Sequence, residues 1–252
     1  MSNPINTYLV LKPQIEDVED TVDAIPDEYA GIDSDGLIKN IHRSVCTYDV
    51  TLFGKLLDGT WDSSVWYHIE DSGSITYDNR ELTFTAPALT ATNSRAVLNQ
   101  TRFPIDGNFL ELTCRVCNIG KGSLSSLKHL YIGFCPSFAT APASSVSGGR
   151  AVFILYGDVS SLIGYTGGAV SLEDLPLGRK LESGDLVTVR LDRKDNSSNI
   201  NVVRFYVNGQ LQYETENIPT GDVYAAIAFY TNTQLTTPQE YCVDYLNVKY
   251  VP

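Results

Sequence analysis

The chain has 252 residues, of which 43% are hydrophobic and 19% charged, enough apolar content to bury a substantial core in one domain. With 30 acidic side chains against 18 Lys plus Arg, the net charge of -12 repels phosphate backbones and anionic membrane surfaces. The basic residues are scattered and form no run, so nucleic-acid binding and membrane insertion are both excluded as expectations.

In chain order, Met1 to Tyr8 has no basic start followed by an apolar run, and no stretch anywhere approaches eighteen apolar residues. A signal peptide and a transmembrane segment are therefore not expected. From Gln14 to Glu28 the segment QIEDVEDTVDAIPDE places Ile15, Val18, Val22 and Ile25 at intervals of three, four and three among acidic residues. This predicts a helix of about three turns opened at Pro13 and closed at Pro26, too short to stand alone in water. Its narrow stripe requires a partner surface, either the parent domain or a neighbouring subunit, and the spacing fits a and d positions of a short coiled coil. Between Tyr29 and Gly59 turn signals at Asp35-Gly36 and Asp58-Gly59 interrupt any pattern, and the reading is a linker with one or two short strands. Residues 1–60 are thus expected to form a docking and oligomerisation segment, and residues 61–252 one domain.

From Trp61 the pattern is that of strands. Leu110, Leu112, Cys114 and Val116 alternate with Glu111, Thr113 and Arg115, which predicts a strand with one wet face. Ala151 to Tyr156 is apolar on both faces and predicts a strand covered on both sides, and Leu130 to Phe134 is similar. Leu186 to Leu191 alternates. Val202 to Tyr213 reads as two strands around Asn208-Gly209, whose preference for positive φ suits a two-residue type I′ turn. Tyr224 to Tyr230 and Cys242 to Val251 supply two more. Strands at this spacing without intervening helices predict an all-β, antiparallel sandwich.

The run Gly184-Asp185-Leu186-Val187-Thr188-Val189, followed by Arg204-Phe205-Tyr206-Val207-Asn208-Gly209, Val223-Tyr224-Ala225-Ala226-Ile227 and Val243-Asp244-Tyr245-Leu246-Asn247-Val248, resembles the concanavalin A-like jelly rolls. That group includes legume-type lectins, laminin G-like modules and SPRY domains. The resemblance implies two curved antiparallel sheets with a concave face or loop rim that binds glycans or peptides, and it implies no single activity. With an acidic helical anchor in front and no secretion signal, the chain also looks like virion proteins of bacteriophages and other viruses.

Few clusters could carry chemistry. Glycosidases of this fold use a close carboxylate set of the form E-x-D-x-x-E, which is missing, while Glu70-Asp71 and Glu173-Asp174 are adjacent pairs that point apart in an extended chain. His42, His68 and His129 are too scattered for a zinc site. Cys114 and Cys117 have C-x-x-C spacing, but three positions apart on a strand they face opposite sides. The five cysteines, Cys46, Cys114, Cys117, Cys135 and Cys242, fit free buried thiols better than a disulfide framework. Asp33-Ser34-Asp35-Gly36 has its glycine too early for a calcium loop and reads as an Asx turn. No metal, cofactor or catalytic residue is therefore expected. Trp61, Trp66, Tyr156 and Tyr165 are the aromatic candidates for a ligand platform.

The expectation from these observations is a non-enzymatic virion structural component, of head or tail decoration, fibre or receptor-binding type, made in the host cytoplasm. It would dock to other virion subunits through Ile15, Val18, Val22 and Ile25 and form a homo-oligomer, a trimer being favoured. A host surface glycan is its possible ligand. The alternative is a free carbohydrate-binding, lectin-like module, with a polysaccharide hydrolase third.

Overall fold

A computed structural model describes residues 48–51, 67–71, 73–78, 81–86, 94–119, 128–136, 149–156, 160–194, 197–231 and 239–251. These residues build an antiparallel jelly-roll sandwich carried by the unit Asp49–Tyr250. The predicted N-terminal helix and its stripe, together with Trp61 and Trp66, lie outside the described residues. Among the described residues no helix is long and apolar enough to cross a membrane.

One sheet joins β13 (Gln210–Thr215), β12 (Val202–Val207), β11 (Leu186–Asp192), β6 (Phe109–Ile119), β15 (Gln239–Val251), β4 (Glu81–Ala86) and β3 (Ser74–Asp78) in that order, and β1 (Tyr48–Thr51) pairs with β15 to make it eight-stranded. The other, seven-stranded, runs β10 (Gly168–Ser171), β9 (Ser160–Tyr165), β8 (Ala151–Tyr156), β7 (Lys128–Cys135), β14 (Val223–Thr231), β5 (Ser94–Phe103) and β2 (Tyr67–Asp71).

Period-two alternation puts the core where the sequence places it. Leu110, Leu112, Cys114 and Val116 of β6 are all fully buried, and Val187, Val189 and Leu191 of β11 stand beside them in register. Inter-sheet contact is made by aromatic rings: Phe153 of β8 meets Phe205 of β12 edge to face at 5.5 Å, and Phe229 of β14 meets Tyr241 of β15 at 5.2 Å. At the turn between β12 and β13, Asn208 and Gly209 have φ of 52° and 78°, the left-handed pair that a two-residue hairpin turn demands.

Asn208 also ties this turn to the start of β11. Its Oδ1 accepts from the Leu186 amide, and its Nδ2 donates to Asp185 Oδ1 at 2.9 Å. Asp185, 5% exposed, is gripped from the other side by both terminal nitrogens of Arg179, each at 2.8 Å. Residues 160–184 contain β9, β10 and a single 3-10 turn, Leu172–Asp174, capped by the Ser171 hydroxyl. Side-chain hydrogen bonding, which has no periodicity to reveal it, orders the remainder: the Leu177 amide donates to Gln212 Oε1 at 2.6 Å.

Cys117 and Cys242 are joined in a disulfide between the adjacent strands β6 and β15. This corrects the expectation of free thiols for these two residues. The pairing spans 125 residues, and strand neighbourhood alone brings the sulfurs together. Cys114 and Cys135 remain buried thiols. Cys114 and Cys117 do face opposite sides of β6, as the strand period requires.

Candidate functional site

The aromatic contacts fix which way each strand of the seven-stranded sheet faces. Phe153, Tyr165 and Phe229 reach the eight-stranded sheet through Phe205, Tyr213 and Tyr241. Residues of opposite parity therefore face outward, and the outward set is not the polar surface usual for a sandwich. Tyr131, Cys135, Val152, Ile154, Ala226 and Ala228 form a second buried cluster there, with Tyr156, Leu162, Tyr224 and Tyr230 half-buried against it.

Strand register arranges these residues in rows. Gly164, Val152, Gly133, Ala226 and Asn99 form one row across β9, β8, β7, β14 and β5. Leu162, Ile154, Tyr131, Ala228 and Val97 form the next, and Ser160, Tyr156, His129, Tyr230 and Arg95 the one after. On the other side of the glycine row, Cys135, Tyr224 and Arg102 align. Tyr156 and Tyr230 thus stand at one end of these rows and Tyr224 at the other, with Tyr131, Val152, Ile154, Ala226 and Ala228 buried between them.

Two glycines are required by this geometry. Gly133 has φ of 147°, and a Cβ there would stand 2.2 Å from the Ala151 carbonyl oxygen, so only glycine lets β7 and β8 approach. At Gly164 a Cβ would meet Arg150 Nε at 2.9 Å and Ile154 Cδ1 at 2.8 Å. The Arg150 guanidinium therefore crosses the outer face of β9 at a strand position without a side chain. Arg150 is 7% exposed, and its backbone is tied to the Thr166 hydroxyl.

Burial is the main cause that drives the Tyr131 phenol well above the ordinary tyrosine range, reinforced by Tyr156 and Tyr230 and opposed by the positive charge of Arg150. The phenol is therefore a neutral hydroxyl at every physiological pH, able both to donate and to accept a hydrogen bond. The Cys114 thiol, inside the core, is likewise raised by burial and by the nearby Asp244 charge, which makes it inert. At the rim, the Arg102 guanidinium lies 5.4 Å from the centroid of the Tyr224 ring, and its Nη2 reaches the Asp222 carbonyl at 3.4 Å.

Of the aromatic candidates read from the sequence, Tyr156 is on this outward face and Tyr165 is on the inward one, 5.3 Å from Tyr213. The two are not brought together. Sequence reasoning missed Tyr131, Tyr224, Tyr230 and Arg150, which come from different strands. The usable signal was the apolar character of both faces of Ala151–Tyr156, which requires a covered or ligand-bearing outer surface.

The outer face of the eight-stranded sheet has a different character. Arg204 joins Asp192 at 2.7 Å and Glu214 at 2.8 Å, Lys194 reaches Glu214 at 3.2 Å, and Arg115 holds Asp244 at 2.7 Å. Bonding from Arg204 holds the Glu214 carboxyl below its usual range, so this acid is committed as an anion to neighbouring cations. Glu81 lies with Cys117 and Cys242 in a group whose ligand atoms are all within 4.8 Å of one another, but the sulfurs are bonded to each other and offer no thiolate.

No protein-family model and no curated protein matches this sequence. Its fold does match solved structures. The carbohydrate recognition domain of Emp47p superposes with a TM-score of 0.55 at 12% identity, over 83% of this chain and 98% of that one. A second solved structure, described as "Prominent members of the human gut microbiota express endo-acting O-glycanases to initiate mucin breakdown", gives a TM-score of 0.55 at 14% identity, over 82% of this chain and 100% of that one. At such identities the likeness is one of fold alone.

Proposed function

We propose that this chain is a carbohydrate-binding, lectin-like module that takes its ligand on the outward face of the seven-stranded sheet and does not cleave it. The observation that carries this reading is the placing of half-buried Tyr156, Tyr230 and Tyr224 on one face of that sheet, around residues that are themselves buried. Sugar rings present apolar C–H faces and equatorial hydroxyls, and tyrosines serve both, through the ring and through the phenol. The Emp47p neighbour is named a carbohydrate recognition domain, which supports the same use of the fold.

Binding without hydrolysis rests on where the carboxylates are. Glycosidases need two carboxyl groups about 5–9.5 Å apart across the scissile bond. Strands β5, β7, β8, β9, β10 and β14, which form this face of the seven-stranded sheet, contain no Asp or Glu. On the other sheet Asp192, Glu214 and Asp244 are paired with arginine or lysine, and Glu214 is held as the anion, the reverse of what a general acid requires. The expectation of a virion component draws on the segment before residue 30, outside the described residues, and the fold and its neighbours speak for the carbohydrate-binding alternative instead.

The test is a glycan array probed with the full chain, followed by affinities for the best ligand. Tyr156→Ala and Tyr230→Ala should each weaken binding about tenfold, the scale of an interface aromatic worth more than about 1 kcal/mol. Unchanged affinity in both variants, or release of new reducing ends from the ligand, would count against the proposal.

A further inference from the structure

On the outer face of the eight-stranded sheet, three side chains with metal-ligating atoms converge from three neighbouring strands. Cys117 of β6 and Cys242 of β15 stand side by side, with 5.2 Å between their Cα atoms. Thr83 of β4 is opposite Cys242 in register, so Glu81, two residues away on the same face, is the diagonal neighbour of Cys242. A carboxylate oxygen of Glu81 and both sulfurs all lie within 4.8 Å of one another. Glu81 is exposed, Cys117 half-buried and Cys242 buried, so the group opens to solvent on one side and is backed by the sheet on the other. The nearby Asp244 is committed elsewhere, to Arg115 at 2.7 Å.

While the sulfurs are bonded to each other, the group holds no metal. A dithiol reductant changes this. It gives up two electrons and two protons, the S–S bond breaks, thiols form at Cys117 and Cys242, and the reductant leaves as its own disulfide. A zinc ion then takes both sulfurs as thiolates, and the two thiol protons pass to solvent.

The geometry suits that ion. Zinc binds sulfur at about 2.3 Å and carboxylate oxygen at about 2.0–2.2 Å in a tetrahedron, which sets neighbouring ligand atoms about 3.5–4 Å apart. Rotation of the two cysteine side chains opens the sulfurs to that spacing, because the strands hold their Cα atoms close. The Glu81 oxygen needs to move in by about 1 Å, within reach of a long side chain at an exposed position. Two thiolates make the site soft, which favours zinc over magnesium and calcium, and three protein ligands leave the fourth position to water.

We propose that Cys117, Cys242 and Glu81 form a zinc site in the reduced chain. The seam between β6 and β15 is then closed by a disulfide under oxidising conditions and by a metal ion under reducing ones. The metal also ties in β4, which the disulfide does not.

The experiment uses the full chain, reduced with a phosphine and desalted under argon, with cobalt(II) as the spectroscopic probe. The reduced chain should take up one cobalt, with thiolate-to-cobalt charge transfer in the near ultraviolet and tetrahedral d–d bands in the visible. Zinc should bleach these bands, magnesium should not, and the oxidised chain should show none. Zinc should also raise the melting temperature of the reduced chain by several degrees and leave that of the oxidised chain unchanged. Glu81→Gln keeps both cysteines and should weaken cobalt about tenfold. Cys117→Ser with Cys242→Ser should abolish the bands while far-ultraviolet circular dichroism still reports a sheet; if it reports none, Glu81→Gln decides alone. A reduced chain without cobalt bands, bands that survive the double serine variant, or an affinity unmoved by Glu81→Gln each overturn the site.

Discussion

Asp185 shows how much of this fold hangs on single polar side chains. It is nearly buried, and burial by itself would raise its carboxyl. Bonds from Arg179, from the Glu182 amide at 2.7 Å and from Asn208 outweigh that and hold it below the usual range. A depressed folded-state value means the contribution is complete above the unfolded carboxylate value of about 3.9 and is lost as pH falls through the lower folded value. Asp185→Asn should therefore be destabilised at neutral pH by about 2 kcal/mol, the scale of hydrogen bonds to a charged group. Its unfolding free energy should then fall less steeply than that of the parent as the pH drops below about 4. Urea titrations at neutral and at successively lower pH check this, and parallel pH profiles would refute the assignment. The left-handed Asn208 was legible in the sequence as a hairpin turn, but its second duty toward Asp185 was not, because it links residues 23 apart through side chains.

Strand existence and facing were largely legible from period-two alternation, as β6, β11 and the β12–β13 hairpin show. What periodicity cannot give is which strands become neighbours. The Cys117–Cys242 disulfide depends on β6 and β15 lying side by side, and an odd count of cysteines at irregular spacings argued the other way. Because it closes a loop of more than a hundred residues, it should stabilise the sandwich by about 2–4 kcal/mol, provided the environment is oxidising. Denaturant unfolding of Cys117→Ser with Cys242→Ser should show a midpoint lowered accordingly, and reduction should give the same shift. The parent should bind two fewer thiol reagents per denatured chain than it does after reduction. An unchanged midpoint with all thiols titratable would remove the disulfide.

At the scale of the molecule, the two sheets differ in character. The eight-stranded sheet carries ion pairs and the disulfide, with Asp192, Glu214 and Asp244 matched by cations from neighbouring strands and loops. The seven-stranded sheet is free of acids on β5, on β7 to β10 and on β14, and half-buried Tyr156, Tyr224 and Tyr230 lie on its outward face. This division was invisible in the sequence because Tyr131, Tyr156, Tyr224 and Arg150 are assembled by register from separate strands, while Tyr165, a neighbour in sequence, ends on the other face. The most direct test is backbone amide hydrogen exchange of the full chain with and without the best-binding oligosaccharide. Ligand should slow exchange in β7, β8 and β14 and leave β11, β12 and β13 unchanged; protection confined to the eight-stranded sheet, or to neither sheet, would contradict the site.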